Sequence, residues 1–293
     1  MQRKLVQMGK HTLMTAVPSK WVKKHGLKKG DYVEFTEVEN KLVATSTAEI
    51  YERKTEVYVL SPTIEVIWRV LQPTYTSGYD EVKITYTDKK TLRVLEGCLQ
   101  NLIGFEIVQT GNNYAVVKSV SKQLNEEFPD LLRRTFLVLK QMSELMNEIF
   151  EKKDKTRLAE IRPLEFTINK YTAFLKRIIN RTGYKYPHYV YLIVTFLELT
   201  SNHLEYIRKY YELHPRAVME KEAAKEYHKV HDLVNKVYDL HYNYSDEKFR
   251  WIAEEQPHFY WFKKIKDSEI KFNLKCMTEY LVQISRQIAA LHL

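Results

Sequence analysis

Cysteine is nearly missing from this sequence: there are two in 293 residues, Cys98 and Cys276, far apart and matching no metal-ligand spacing. A lone pair cannot build a disulfide framework, so a disulfide-stapled secreted scaffold is excluded and a reducing cytoplasm is the expected setting. Glycine and proline are also scarce, eight of each, which leaves little room for linkers or low-complexity stretches. No long hydrophobic run occurs. The longest, Tyr189 to Leu197, is about half of the roughly 20 residues that a membrane helix needs, so no membrane insertion is expected. Mixed residues follow Met1-Gln2-Arg3-Lys4-Leu5 where a signal peptide would place an apolar stretch. Also missing are a P-loop, a dinucleotide fingerprint, a Gly-x-Ser-x-Gly elbow and a His-Glu-x-x-His helix. Nothing supports catalysis, and the chain is expected to be neither an enzyme nor a cofactor protein.

Acidic residues are absent from the first 30 positions. That segment holds Arg3, Lys4, Lys10, Lys20, Lys23, Lys24, Lys28 and Lys29, whereas the other 263 residues carry 38 Lys and Arg against 37 Asp and Glu. One small piece therefore holds nearly all of the net charge of +9. A solvated surface run is the ordinary reading of such a segment; in a folded module the same run is a phosphate footprint. The remaining composition, 44% hydrophobic and 28% charged, is that of a folded chain with length for two or three domains of about 100 to 200 residues each.

The basic segment has a folding pattern. Arg3 to Met8 is a short β-like run, Gly9-Lys10-His11 a turn, and Thr12 to Val17 a second run ended by Pro18. Ser19 is placed to cap a two-turn helix over Lys20 to His25, and Gly26 sits where a left-handed residue closes a helix. After the Leu27-Lys28-Lys29-Gly30-Asp31 turn, Tyr32 to Phe35 and Lys41 to Ala44 alternate around a bend at Glu37-Val38-Glu39-Asn40. The order is two strands, a short helix, two strands. Through Arg3-Lys4, Gly9, Val17 to Val22, Leu27 to Val33 and Lys41-Leu42-Val43, residues 1–48 resemble the AbrB/SpoVT/MazE-like swapped-hairpin DNA-binding domains, in the version that opens archaeal regulators. The resemblance implies an interlocked homodimer, a small β-barrel in which each chain lends a hairpin to the other. That dimer supplies the core that fewer than 50 residues cannot build alone. It also implies DNA as the partner, with Trp21 and Val22 in the core; the placement of the basic residues on the hairpin and short helix points to Arg3, Lys4, Lys10, His11, Lys20, Lys23 and Lys24 as the contact residues. Antitoxins share this module but usually end in a short disordered tail, which disfavours that reading here.

Residues 50–120 read as β, helix, β, helix, β, β over Glu56 to Leu60, Thr63 to Thr76, Glu81 to Tyr86, Lys89 to Ile103, Phe105 to Thr110 and Tyr114 to Val120. Through Ser77-Gly78-Tyr79-Asp80 and Leu102 to Val108 they resemble the small α/β connector that follows the swapped hairpin in the same archaeal proteins. A spacer and dimer platform is favoured over a sensing role.

From residue 121 to 293 apolar residues recur at spacings of three and four, as in Leu131, Leu132, Thr135, Val138, Leu139, Met142, Leu145, Met146 and Ile149. Breaks at Lys152-Lys153-Asp154, Arg181-Thr182-Gly183, His214-Pro215, Tyr244-Ser245-Asp246 and Lys266-Asp267-Ser268 give about six helices in an antiparallel bundle, the fifth interrupted near Pro257. The second and third helices end in Phe196 to His203 and the sixth carries Met277 to Ile284, so the halves look like one three-helix unit used twice. This organisation is similar to PhoU, the phosphate-uptake regulator family of two three-helix repeats. The fold expected is thus multidomain α+β: a swapped-hairpin β-barrel dimer module, an α/β connector and a PhoU-like all-α bundle.

In that family each repeat carries a Glu-x-x-x-Asp signature that contributes to iron or zinc clusters, with both carboxylates on one helical face. Here Glu198 and Glu279 keep the first position, while Asn202 and Gln283, weak ligands for such ions, occupy the second. Metal clusters of that kind are therefore not expected, with Glu198 and Glu279 left as the signature's remaining candidates. His228-x-x-His231 with Glu226, Asp232 and His241 has the flavour of a helical metal site, but a polar helix surface is the favoured reading. The aromatic cluster of Trp251, His258, Phe259, Tyr260, Trp261 and Phe262 reads as bulky core before a ligand patch.

Two functions fit these residues. One is a DNA-binding transcriptional regulator of phosphate uptake whose helical part senses a signal or binds a partner. The other is a PhoU-like adaptor that controls a phosphate transporter, or a signalling protein, by protein contact alone. The charge asymmetry favours the first.

Overall fold

The computed structural model describes residues 2–38, 41–46, 52–120, 127–254 and 261–293. It is a mixed α+β chain that divides into two compact units, Met1–Arg53 and Lys54–Leu293.

The first unit is two hairpins around a short helix. Strand β1 (Val6–Met8) pairs antiparallel with β2 (Thr12–Met14), and β3 (Val33–Val38) with β4 (Lys41–Ser46), Phe35 facing Ala44. The bend residues Glu39 and Asn40 lie outside the described residues. Gly9 turns the first hairpin at φ +78°, a left-handed angle that side chains resist. The first hairpin is shorter than the sequence predicts: its pairing stops at Val6 opposite Met14, and Arg3 to Leu5 and Thr15 to Val17 are not in strand.

Helix α1 (Ser19–Lys24) departs from expectation at its start. Pro18, not Ser19, is the cap residue, and its carbonyl accepts from the amides of Trp21 (2.9 Å) and Val22 (3.0 Å). Proline's fixed φ, here −59°, preorganises the entry, and no side-chain cap is made. The helix end matches expectation. Gly26 at φ +63° lets its own amide reach Lys23 O (3.2 Å) and that of Leu27 reach Val22 O (3.1 Å), a Schellman closure.

The second unit joins a four-stranded sheet to a helical bundle. Strand β5 (Lys54–Val59) runs parallel to β6 (Glu81–Tyr86) across helix α2 (Ile64–Thr76). Helix α3 (Lys90–Leu99) leads to β7 (Phe105–Thr110) and β8 (Tyr114–Ser119), giving the sheet order β5-β6-β8-β7. The alternation of β6 explains its two faces. Val82, Ile84 and Tyr86 are buried with Ile67, Leu71 and Tyr75 of α2 in the common core, while Lys83 turns outward to Glu56 (2.9 Å). Helix α3 stops four residues before the sequence suggests, because the chain must turn through Gly104 at φ +75° to enter β7.

The six expected helices of the remainder are present: α4 (Phe128–Lys152), α5 (Ile161–Ile178), α6 (Pro187–Leu213), α7 (Lys221–Tyr242), α8 (Asp246–Glu254) and α9 (Ser268–Ala290). Their ends follow local chemistry. Lys153 closes α4 in the left-handed region, Pro187 opens α6, and Asp267 caps α9 by accepting from the amides of Glu269 (3.0 Å) and Ile270 (3.2 Å). Helix α6 runs on to Leu213, so Phe196 to His203 lies in its middle rather than at its end; no breaker occurs before His214-Pro215. Pro257 and the aromatics His258, Phe259 and Tyr260 fall outside the described residues, while Phe262 is buried as core.

Candidate nucleic-acid interface

A folded unit ordinarily hides its apolar side chains, and the first unit hides none among its described residues. Leu5 (65% exposed), Val6, Met8 and Leu13 on the first hairpin and Phe35 and Leu42 on the second all lie open. The register splits them between faces. Val6 and Met14 share one face of the first hairpin and Leu13 takes the other, so the hairpin is apolar on both sides. Trp21 and Val22, expected as core, are half-buried within one copy, Trp21 lying against His25 with ring centroids 4.7 Å apart.

Arg3, Lys4, Lys10, His11, Lys20, Lys23 and Lys24 are all exposed. Lys10 and His11 sit in the first hairpin turn, Arg3 and Lys4 precede β1, and Lys20, Lys23 and Lys24 belong to α1. No acidic residue of this unit precedes Asp31, whose carboxylate accepts from the Lys28 amide at 2.6 Å and closes the turn rather than neutralising the basic run. In the second unit several cations are held in ion pairs, as in Lys54–Glu81, Lys118–Glu81, Lys152–Glu148 and Lys176–Glu198.

The metal candidates do not converge. Glu198 Oε2 accepts from Lys176 Nζ at 2.6 Å and from Thr172 Oγ1 at 3.1 Å, an inward ion pair between α5 and α6. Glu279 is exposed on α9 and accepts from Gln283 Nε2 at 2.7 Å. Among the described residues no group of three or more His, Cys, Asp and Glu could hold a metal ion. Iron or zinc clusters of the PhoU kind do not fit a site whose retained carboxylate is already paired and whose second position is an amide.

The histidine cluster is likewise divided. His231 is buried with Nδ1 3.2 Å from Ser143 Oγ and Nε2 2.9 Å from Glu144 Oε2; His228 lies outward, 3.4 Å from Asn147 Oδ1; Glu226 pairs with Lys229. His241 is elsewhere, stacked on Phe136 at 5.0 Å, and burial pulls its pKa down from 6.5 to about 4.

One constellation escapes sequence reasoning altogether. Arg177, near the end of α5 and 6% exposed, donates to the carbonyls of Tyr75 (3.0 Å) and Tyr79 (2.6 Å) and to Asp80 Oδ1 (3.1 Å). Its guanidinium also lies 5.1 Å from the Tyr75 ring and 5.0 Å from that of Phe105. Arg181 donates to the other Asp80 oxygen at 2.6 Å and Asn180 to Thr76 O at 2.9 Å. The end of α2, whose Pro73 interrupts its own ladder, is thus satisfied by side chains from α5 and the π-helical turn Ile179–Gly183 after it. Burial lowers the pKa of Arg177, Tyr75 and Asp80 opposing the shift. The Ser77-Gly78-Tyr79-Asp80 turn was a visible signal; its partner on a distant helix was not.

Among the described residues no helix is long and apolar enough to cross a membrane. Comparison with protein-family models, with curated proteins and with solved structures finds no match to this chain.

Proposed function

We propose that the chain is a DNA-binding transcriptional regulator of phosphate uptake, acting as a homodimer whose first units interlock hairpins in the swapped-hairpin manner and whose PhoU-like bundle is the sensor or partner-binding module. One observation carries the reading: eight Lys and Arg with no acid in the first 30 residues, on a unit with no buried apolar side chain among its described residues. The open apolar faces call for a second copy, and the unneutralised cations call for phosphates. The link to phosphate uptake comes from the resemblance of the bundle to PhoU.

The test has two arms. A genome-wide binding profile should show enrichment at phosphate-transport promoters. Fluorescence anisotropy with duplex DNA should show affinity that collapses when Arg3, Lys10, Lys20 and Lys23 are neutralised together in a variant that remains dimeric. Unchanged affinity in that variant rejects DNA binding by this face and promotes the transporter-adaptor alternative.

A further inference from the structure

Helix α6 carries two apolar stripes. One fills the core with Val190, Ile193, Val194 and Leu197. The other, Tyr189, Leu192, Phe196, Leu199, His203 and Tyr206, recurs at alternating spacings of three and four, the heptad pattern of a helix–helix seam; its half-buried Phe196 and buried His203 already meet the last helix, α9, and the others lie toward its open side. Tyr189 and Leu192 remain 39% exposed and Tyr206 47%.

Helix α9 runs antiparallel beside it. Phe196 stacks on Tyr280 with ring centroids 5.7 Å apart, and His203 Nδ1 lies 2.7 Å from Asn273 Oδ1. Its own outward residues Glu269, Phe272, Cys276, Glu279, Gln283 and Arg286 keep the same heptad spacing, with Phe272 58% exposed. The two stripes together make a continuous, aromatic-rich face of the kind that marks an interaction surface.

We propose that this α6/α9 face docks the same face of a second copy of the chain, about a two-fold axis that crosses both helices at right angles. Antiparallel heptad seams bring each first-position residue against a fourth-position residue of the partner helix. On α9 that sets Glu269 against the second copy's Arg286 and Phe272 against its Gln283; on α6 it sets Tyr189 against its Tyr206 and Phe196 against its Leu199. The α9 axis falls between Cys276 and Glu279 and the α6 axis between Phe196 and Leu199. These points are nearly level because Phe196 already lies on Tyr280, so one axis serves both helices.

Charge decides the occupant. Glu269 and Arg286 are exposed at opposite ends of the stripe, and neither has an ion-pair partner among the described residues. A two-fold axis uses both of them twice. The inference rests on the homodimer proposed above only for the supply of the second copy; the surface is a different one.

The native thiols provide the probe. Cys98 is buried at 5% exposure, whereas Cys276 lies on the proposed face next to the axis. Full-length protein treated with a short bis-maleimide should yield a covalent dimer that Cys276→Ser abolishes. Glu269→Arg or Arg286→Glu alone should cut the yield about tenfold, as two cross-interface ion pairs become repulsive, and the double reversal should restore it. Sedimentation of the same samples reports the hairpin dimer separately. A dimer that gives no Cys276 crosslink, or one indifferent to the reversals, overturns the α6/α9 contact and leaves the hairpin dimer standing. A monomer overturns the hairpin dimer, and the α6/α9 contact with it unless a crosslink obeying the reversals forms at high concentration. A crosslink that never forms while another protein protects Cys276 assigns the face to that protein instead.

Discussion

Asp80 and Arg177, 97 positions apart in the chain, are joined by a 3.1 Å ion pair that fastens the sheet to the bundle. Asp80 serves two guanidiniums, and Arg177 in turn serves two carbonyls at the end of α2. Removing one member of a buried ionic set strands the others, which costs far more than the net worth of the pair. Asp80→Ala should therefore lower the unfolding free energy by about 3 kcal/mol, and Asp80→Asn, which keeps an acceptor, by less. Urea unfolding with an unchanged m-value checks this. A drop under about 0.5 kcal/mol, the ordinary size of a surface change, would show that the clamp is mechanically idle.

The buried imidazole of His241 makes stability depend on pH. The unfolded chain protonates this group near pH 6.5 and the folded chain only near pH 4. The contribution is complete above pH 6.5 and is lost as the pH falls towards 4, where the unfolded state binds the extra proton. The loss should approach roughly 3 kcal/mol across that window. Burial lowers the pKa of His203 as well, which adds to the slope with the same sign. Chemical denaturation from pH 7 to 4 should show the fall, and His241→Phe, which keeps the stack on Phe136, should flatten it. An unflattened slope would place the titration on another group.

The helical half of the molecule was largely legible in the sequence, since breakers such as His214-Pro215 and Tyr244-Ser245-Asp246 stand where the helices end and the period of 3.6 is plain. The βαβαββ order of residues 54–119 was legible from the alternation of β5 and β6 and from the Gly-containing turns that bound the strands. Pairings across distance were not. Lys176 with Glu198 and Arg177 with Asp80 depend on which helix lies beside which, and no local pattern carries that information. Ser19 failed as a cap because the proline before it had already fixed the helix entry, a competition between two good local signals. In the first unit the strands, the basic residues and the want of a core of its own could be read from its length and pattern, whereas which apolar side chains lie open depends on the hairpin register.

Metal should not be part of the bundle. Glu198 is held by Lys176 and the following positions of both signatures are Asn202 and Gln283. Elemental analysis of protein purified without chelator is expected to find no stoichiometric iron or zinc. Several ions per chain would mean that other carboxylates had been recruited.

The hairpin dimer can be tested through Leu13, 62% exposed in a single copy. If that exposure were real in solution, Leu13→Asp would change stability by no more than about 0.5 kcal/mol. Buried in an interlocked partner, the same change places a carboxylate in an apolar core and should dissociate or unfold the unit. Sedimentation velocity and thermal unfolding distinguish the outcomes; a variant that sediments and melts like the parent rules out hairpin interlocking at this face.

Salt dependence gives the most detailed prediction for DNA binding. Dimerisation doubles the eight cations of residues 1–30 and arrays them about a two-fold axis, which favours a two-fold or pseudo-two-fold site. If roughly 6 to 10 phosphates are neutralised, affinity should fall by about 10³ to 10⁵ between 50 and 200 mM salt, because each neutralised phosphate releases its condensed counterions. Neutralising Lys10, Lys20, Lys23 or Lys24 should weaken binding equally on all sequences and lower the salt slope by about one unit for each phosphate that is no longer neutralised. Arg3 should behave differently. Its planar fork can pair bidentately with guanine, so Arg3→Lys should keep most of the slope while relaxing sequence preference by about 1 to 3 kcal/mol. Lys28 and Lys29 border the turn closed by Asp31 and should matter little. Anisotropy titrations at several salt concentrations, on two unrelated duplexes and with dimerisation checked separately, resolve these effects. Equal weakening by substitutions at Lys28 and Lys20 would mean that the DNA follows a different track across the unit, and a slope unchanged by every substitution would mean that these cations do not meet phosphates.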